Sequence, residues 1–390
     1  MKPIPYFVLA FAMAIPAVLV GVEVPSWLSF PSPTLALQSD LRVLYTPGYM
    51  LRTGQRKELY NFRAIKRNQD DRVAADNAAV PFLHPAYEAI PFMPLSLLSY
   101  RTAYFVWAAL NFAILGLIYF LLQPSLADLS ALGPWIPPAL LLGFMPVAFT
   151  ILAGQDSLVL LLILVIVYRR IGSNEFQAGI LLGLGVFRFQ VLLPIVALFL
   201  LWRRLKFAAG WVLGSAVALT ASSWITGFAA QVQYAKLLRQ MGGISFWLLL
   251  RRMPNLRALF MACGLGIVPL ALVSLFIFIA AAIIGARRSA QQKLLIAVSV
   301  SALVTYYLFL HDLSILALPF LLAINEAIGR REWWRAALVS TALSGFAIFW
   351  FARDSFYLGS LFTLLFMGTQ LLYVNSWVAS NASKDQRSFC

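Results

Sequence analysis

The chain has 390 residues, of which 61% are hydrophobic and 12% are charged, and its formal net charge is +15. Its mean hydropathy of +0.82 excludes a soluble globular protein, whose surface must be largely polar. A helix of about 20 apolar residues can cross a bilayer with its backbone groups bonded to one another. The long, unalternating apolar runs therefore predict an all-α, polytopic membrane protein and exclude a β-barrel.

The excess of basic residues could indicate nucleic-acid binding or membrane topology, and its distribution favours topology. Lysine and arginine flank the apolar runs, as expected where they are retained on the cytoplasmic side of a membrane. We therefore expect no nucleic-acid partner. The two cysteines, Cys263 and Cys390, have no metal-ligand spacing and are predicted on opposite sides of the membrane, so no disulfide framework is expected.

Alternating apolar and polar stretches predict the organisation of the chain. We expect a first transmembrane anchor over residues 1–22, a non-cytoplasmic loop forming half of an active site over 23–101, a membrane helical core over 102–227, a second non-cytoplasmic loop over 228–263, C-terminal membrane helices over 264–379 and a cytoplasmic tail over 380–390. The triplet Ala12-Met13-Ala14 resembles a signal-peptide cleavage site, but it lies inside the apolar run, which favours an uncleaved anchor.

The first loop contains one clear helix signal. Ser39 or Asp40 is a candidate N-cap, Pro47 would shorten or kink the helix, and Gly54 would end it. Residues 55–80 are charged with mixed sign, so we expect them to be solvated, without a regular element. Residues 84–99 are aromatic and proline-rich, which favours a re-entrant or interfacial segment.

About twelve spans are predicted, several of them short for a full crossing. They cover Tyr6–Val22, Thr102–Leu122, Trp135–Leu152, Ser157–Tyr168, Phe176–Phe187, Val191–Trp202, Phe207–Thr226, Gly264–Gly285, Leu294–Leu310, Leu313–Ile328, Ala336–Phe351 and Phe356–Trp377.

The positive-inside rule gives the orientation, with both termini cytoplasmic. The basic residues predicted inside are Lys2, Arg169, Arg170, Arg203, Arg204, Lys206, Arg287, Arg288, Lys293, Arg330, Arg331, Arg335, Lys384 and Arg387. The short outer connections contain only Arg188 and Arg353, while the predicted inner connection 123–134 contains no basic residue.

This orientation gathers ionisable and amide side chains from remote segments at one outer rim. They are Asp40, His84, Glu88, Gln155, Asp156, Arg188, His311, Asp312, Arg353 and Asp354. The second loop adds basic residues without any acid, at Lys236, Arg239, Arg251, Arg252 and Arg257.

Three of these positions have two interpretations each. Asp40, at a helix N-terminus, is favoured in its ionised form and could accept a proton, or it could be a plain N-cap. Asp156 presents the same choice before the apolar run at 157–168. His84 and Glu88 would share a helix face, as a chemical pair or as an interfacial pair without chemistry.

Arg188 and the pair His311-Asp312 lie between apolar stretches, where ionisable groups are costly and mark functional sites. Arg188 must therefore snorkel or pair with a negative group, which allows an anion-binding role. His311 and Asp312 could instead form a helix-breaking hinge with a cap. Gly179 and Gly183 favour close helix packing and not a phosphate loop, since no Lys-Ser/Thr follows them.

No metal and no cofactor is expected from the sequence. It contains no Asp-X-Asp, its two histidines are isolated, and no Walker loop or dinucleotide fingerprint occurs between a strand and a helix.

An ordered set of short motifs carries a family resemblance. They are Ser39-Asp40 with Tyr45 and Gly48, then residues 54–60; Phe82-Leu83-His84-Pro85 running to Pro94-Leu95; Ala103 with Trp107 and Asn111; Gly154-Gln155; Ala178-Gly179 to Gly183 with Arg188 and Gln190; and His311-Asp312. In them the sequence resembles glycosyltransferase family 87, polyprenol-phosphate-dependent enzymes of the GT-C superfamily that include mannosyltransferases of mycobacterial phosphatidylinositol mannoside assembly.

The resemblance implies a GT-C-like fold and an inverting hexosyltransferase in the cell membrane. Its partners would be a polyprenyl-phosphate sugar, with mannose expected, a lipid or glycan acceptor at the outer face, and membrane lipids. Asp40 would be the base, and Arg188 and His311 would lie near the donor phosphate. In the family the position of Arg188 is more often lysine, which keeps the charge.

Two other classes of function compete with a transferase. A transporter or flippase of lipid-linked sugars would place ionisable groups near the midplane on broken, repeat-related helices, whereas here they are predicted at one edge. A non-catalytic membrane scaffold would be indifferent to the loss of the Asp40 carboxylate.

Overall fold

A computed structural model describes residues 32–75, 79–241, 252–350 and 355–370, with a few positions between 21 and 28. Throughout this part of the chain the regular structure is helical, without a strand, as predicted. The first predicted span, the cytoplasmic tail, Arg251, Arg353 and Asp354 lie outside the described residues.

The first loop folds into short helices around a small apolar core of its own. The helices are Pro33–Gln38 (α1), Arg42–Arg52 (α2), Phe62–Arg72 (α3) and Phe92–Leu95 (α4), with 3₁₀ turns at Arg56–Glu58 and Ala86–Ala89. Their apolar side chains, among them Leu44, Phe82 and Phe92, pack with Trp107 and Tyr234. The loop is therefore a folded layer fixed to the rest of the protein.

Two local predictions for this loop are wrong. The side chains of Ser39 and Asp40 do not cap α2, whose N-cap is Leu41. Residues 55–80 contain α3, because the Asn61 side chain accepts hydrogen bonds from the first backbone N–H groups of that helix and its face at Ala64 and Ile65 is buried. The predicted stop holds, since α2 ends at Arg52 and Gly54 has a φ of +81°.

The remaining helices mostly build the large second core, except Phe228–Met241, which packs on the first core through Ala230, Tyr234 and Leu237. They are Tyr100–Leu122 (α5), Ala127–Leu132 (α6), Ile136–Leu142 (α7), Met145–Ala153 (α8), Ser157–Ile171 (α9), Glu175–Gly183 (α10), Phe189–Leu201 (α11), Leu205–Thr226 (α12), Phe228–Met241 (α13), Leu256–Ala262 (α14), Ile267–Gly285 (α15), Ala290–Val304 (α16), Ala317–Gly329 (α17), Trp333–Gly345 (α18) and 359–370 (α19). Further 3₁₀ turns lie at Gln123–Ser125, Val186–Arg188, His311–Leu316, Phe346–Trp350 and Phe356–Leu358.

By length and composition, four described helices could cross a membrane, or up to six if each of two bent pairs is one span. Several apolar helices thus indicate a membrane protein, but the predicted twelve spans are not confirmed. The predicted spans at 176–187 and 191–202 belong to one pair bent by 69°, and the span at 135–152 is a pair bent by 56°. Hydropathy alone does not distinguish two short spans from one broken span.

Close helix packing at Gly179 and Gly183 is confirmed. A Cβ at Gly183 would lie 2.6 Å from the backbone nitrogen of Ser215, and one at Gly179 would overlap the Phe207 carbonyl oxygen. Gly210 and Gly214 of α12 meet the backbone of α10 in the same way. The two helices therefore touch backbone to backbone, which only residues without a side chain permit.

Hydrogen bonds between remote segments define two opposite ends of the helical core. At one end, Tyr87 Oη donates to the Leu184 carbonyl and Asn255 Nδ2 donates to the Thr305 carbonyl. At the other end, Arg169 donates to the Leu121 carbonyl and Gln291 to the Tyr168 carbonyl. We call these the loop end and the basic end, because the first holds the folded loop and the second holds most of the short basic connections.

Gly183→Ala should destabilise the protein, because its new methyl group overlaps backbone that cannot move aside. We expect a loss of about 1–3 kcal/mol, seen as a lower melting temperature in detergent. Gly116→Ala is the matched control, since a Cβ there meets nothing within 4 Å. It should leave the melting temperature unchanged or raised, and equal destabilisation by both variants would contradict this packing.

Candidate active site

Side chains from five separate segments meet at the loop end. They come from the turn before α2, the 3₁₀ turn at Ala86–Ala89, the turn between α8 and α9, the 3₁₀ turn at Val186–Arg188 and the 3₁₀ turn at His311–Leu316. The structure thus brings together Asp40, His84, Glu88, Gln155, Asp156, Arg188, His311 and Asp312, as the predicted orientation requires.

Asp40 is a half-buried carboxylate held by the membrane core. Its backbone N–H donates to the Ala153 carbonyl at 2.8 Å, and its Oδ2 accepts from Gln155 Nε2 at 3.0 Å. The carboxylate does not cap α2. One of its oxygens accepts from the Gln155 amide, and the side chain still reaches solvent.

Gly154 explains how Gln155 reaches Asp40. It ends α8 in the left-handed conformation, with a φ of +70°, and a Cβ there would lie 2.9 Å from that of Leu41. The carbonyl of Gln155 accepts from Trp107 Nε1 at 3.2 Å and from Asn111 Nδ2 at 3.3 Å. The turn is therefore fixed from both sides.

Arg188 is paired and not snorkelling. Its side chain is buried, with Nη2 at 2.5 Å from Asp156 Oδ1 and at 3.3 Å from Gln155 Oε1, and with Nε at 3.5 Å from Asp312 Oδ1. Asp156 begins α9 without a side-chain cap bond, so pairing and not capping decides its orientation. One guanidinium thus faces two carboxylates.

His311 and Asp312 start the 3₁₀ turn that leads into α17. Asp312 accepts from the Phe309 backbone N–H at 2.9 Å and from Ser157 Oγ at 3.3 Å. His311 Nε2 lies 3.6 Å from Asp312 Oδ1, beyond hydrogen-bond distance, and this buried atom makes no hydrogen bond within the described chain. The hinge interpretation therefore accounts for Asp312 but leaves the imidazole Nε2 of His311 available to a ligand.

His84 and Glu88 are in contact, although their segment is a 3₁₀ turn and not an α-helix. His84 Nδ1 lies 2.6 Å from Glu88 Oε2, and the Phe82 ring stacks on the imidazole at 5.5 Å between centroids. Donor atoms of His84, Glu88 and Asp156 all lie within 4.8 Å of one another.

Burial sets the charge states of this trio. It lowers the pKa of His84 to about 3, assisted by nearby Arg188, and it raises the pKa of Glu88 well above its usual range, assisted by Asp156. Burial would raise the pKa of Asp156 too, but the charge of Arg188 outweighs burial and holds that pKa low. Burial thus favours the neutral forms of His84 and Glu88, while Arg188 favours the ionised form of Asp156.

Sequence reasoning missed the side chains that hold these groups in place. Ser157, Trp107 and Asn111 bond to the site, and Thr150 Oγ1 donates to the His311 carbonyl at 3.2 Å. Trp107 and Asn111 do carry part of the family resemblance, which was the one available signal.

A cavity of about 490 Å³, lined in part by Arg288 and Glu326, lies at the basic end, away from this site.

A family model described as glycosyltransferase family 87 matches residues 82–311, more than half of the chain. The match begins just before His84 and ends at His311, so of the eight side chains that meet at the loop end it contains all except Asp40 and Asp312. A search of curated proteins found no match, and neither did a search of solved structures.

Arg188→Met should destabilise the protein strongly, because it leaves two buried carboxylates without their counter-ion. We expect a loss of roughly 3–5 kcal/mol, measured by thermal unfolding in detergent. Adding Asp156→Asn and Asp312→Asn should recover much of it, since the uncompensated charges are then removed.

Arg204→Met is the matched control, because its partner Glu175, at 2.8 Å, forms a more exposed pair. It should change the stability by about 0–1 kcal/mol. If Arg188→Met unfolds no more easily than Arg204→Met, the buried pairing described for Arg188 is contradicted.

Proposed function

Because the chain belongs to glycosyltransferase family 87 and is therefore a glycosyltransferase, we propose that it transfers a hexose, mannose in the first instance, from a polyprenyl phosphate to a lipid or glycan acceptor. The proposal includes an inverting mechanism, a GT-C-like architecture and an active site on the non-cytoplasmic side of the cell membrane. Being an enzyme by family, the chain is not primarily a transporter of lipid-linked sugars or a scaffold.

One observation carries the assignment of roles: the Gln155 amide links Asp40 to Arg188. Its Nε2 donates to Asp40 Oδ2 at 3.0 Å, while its Oε1 accepts from Arg188 Nη2 at 3.3 Å. A carboxylate that reaches solvent and the buried Arg188 guanidinium thus flank one short side chain. That separation suits an acceptor hydroxyl at one side of a sugar and a departing phosphate at the other.

Asp40 is the proposed base. As the acceptor oxygen attacks the anomeric carbon, Asp40 takes the hydroxyl proton, and the bond between that carbon and the phosphate oxygen breaks with its electron pair on the phosphate. The single displacement inverts the configuration at the anomeric carbon. Gln155 orients the carboxylate, which leaves its second oxygen for the acceptor.

The departing phosphate is the proposed ligand of His311. The Nε2 atom of His311 is buried and makes no hydrogen bond to any described residue, so it can donate to a phosphate oxygen. Arg188 adds positive potential, but Asp156 and Asp312 already balance its charge. We therefore assign Arg188 chiefly to holding the cluster together.

The second loop is proposed to attract anionic lipid head groups and the donor phosphate. Lys236, Arg239 and Arg252 are exposed near the loop end, and Arg257 stacks over the Tyr306 ring at 3.6 Å. Basic side chains at a membrane surface each contribute roughly 1 kcal/mol of attraction to anionic lipid.

The non-cytoplasmic position of the site is inferred from charge and from donor chemistry. Basic side chains of the short connections lie at the basic end, which the positive-inside rule assigns to the cytoplasm. The loop end then faces a compartment without nucleotide sugars. A lipid-linked sugar is the donor consistent with that side.

Asp40→Asn should lower the rate of sugar transfer from polyprenyl phosphate by about 10²–10⁴-fold, because the amide keeps the shape of the side chain but does not accept the proton. The measurement is transfer of radiolabelled mannose to acceptor lipid by the purified protein in detergent. Thermal unfolding of the variant should match that of the unchanged protein.

Asp71→Asn is the control, since this exposed aspartate lies on the same loop but outside the site. Its transfer rate should be unchanged. A rate for Asp40→Asn within a few-fold of the unchanged protein would rule out the proposed base, although the family assignment would stand.

A further inference from the structure

The trio His84, Glu88 and Asp156 has the composition and spacing of a cation site. One imidazole nitrogen and two carboxylate oxygens lie within 4.8 Å of one another. A metal ion bonded to each atom at about 2.1 Å holds two of them at most about 4.2 Å apart, so a small closure of the trio would seat it. The three residues are 8%, 7% and 2% exposed, which makes this a buried group and not a surface acidic patch.

Apart from the close contacts that the trio makes within itself, such as His84 Nδ1 to Glu88 Oε2 at 2.6 Å, four of its donor atoms are buried without a hydrogen-bond partner. Within the described part of the chain this holds for His84 Nδ1, both oxygens of Glu88 and Asp156 Oδ2. Buried polar atoms in folded proteins nearly always have a partner, and a bound ion is one recognised partner where other residues supply none. The other Asp156 oxygen, Oδ1, bonds to Arg188, so Oδ2 is the oxygen left for a metal ion.

The balance of formal charge around the trio also favours a bound cation. Asp156 and Asp312 place two buried carboxylates against Arg188, the one guanidinium that the described contacts put among them, so one negative charge is left over. Burying unbalanced negative charge is costly. A further cation beside Glu88 and Asp156 would reduce that cost.

We propose that His84, Glu88 and Asp156 bind a divalent transition-metal cation of the Mn²⁺ class through Nδ1, a Glu88 oxygen and Asp156 Oδ2. The imidazole ligand favours a transition metal over Mg²⁺ or Ca²⁺, which prefer oxygen ligands alone. Three protein ligands leave further coordination positions for water or a ligand oxygen.

A metal ion at this site would also give the proposed transfer reaction a positive charge that the protein side chains do not supply. Resting on the proposed function, we assign the ion to an oxygen of the donor phosphate, because Asp156 and Asp312 balance the charge of Arg188. A divalent ion would supply the positive charge that stabilises the departing phosphate. The amino-acid sequence predicted no metal, since residues 84 and 156 are far apart in the chain and no local spacing joins them.

The test is Mn²⁺ binding to the full-length protein in detergent after treatment with EDTA. We expect electron paramagnetic resonance titration to give one bound Mn²⁺ per chain, and spin-echo modulation to show a nitrogen ligand. Glu88→Gln should weaken binding by about 10–100-fold, and His84→Asn should abolish the nitrogen signal. Glu58→Gln, an exposed residue of the same loop, is the control and should bind as the unchanged protein does.

Asp40→Asn separates this proposal from the transfer reaction, because Asp40 is outside the trio. It should bind Mn²⁺ normally while losing transfer. Stoichiometric Mn²⁺ without any transfer from polyprenyl phosphate would reject the proposed donor and keep the metal site. Absence of stoichiometric Mn²⁺ in the unchanged protein, or unchanged binding in folded Glu88→Gln and His84→Asn, would overturn the metal site, whatever the transfer assay gives.

Discussion

The buried ionic contact of Arg188 with Asp156 and Asp312 determines how the loop end is built. A guanidinium and two carboxylates in an apolar surrounding are tolerated only as partners. The three side chains come from three different turns, so their contact holds the N-terminal ends of α9, α11 and α17 next to one another. The backbone contact of α10 with α12 packs the helix that precedes Arg188.

The first loop is placed by the same cluster. Arg188 bonds to the Gln155 amide, Gln155 bonds to Asp40, and the Asp40 backbone N–H bonds to the end of α8. Gly154 makes this approach possible, because any side chain there would strike Leu41. The position of Asp40, a residue in a polar loop, thus depends on ionic groups in the helical core. Substitutions of those core groups are therefore expected to affect catalysis.

Sequence reasoning predicted which side chains meet at the loop end better than how they are held there. Apolar runs predict helices, and isolated charges such as Arg188 and Asp312 between them predict a site, since burying them has a large cost. The predicted number of spans is not confirmed where a turn bends a helix pair at Gly143 or near Gly185, because composition does not record the bend. Asp40 has the sequence context of an N-cap, yet its partner Gln155 lies on another helix end, which no local pattern contains.

The central claim is that remote side chains share one non-cytoplasmic rim, and cysteine accessibility tests it most directly. In a background with Cys263 and Cys390 replaced by serine, Gln38→Cys and Tyr306→Cys place exposed thiols near Asp40 and His311, and Ser173→Cys places one at the basic end. A membrane-impermeant maleimide should label positions 38 and 306 in intact cells, and position 173 only after permeabilisation. Labelling of 38 and 306 from opposite sides, or of 173 from outside, would contradict the account.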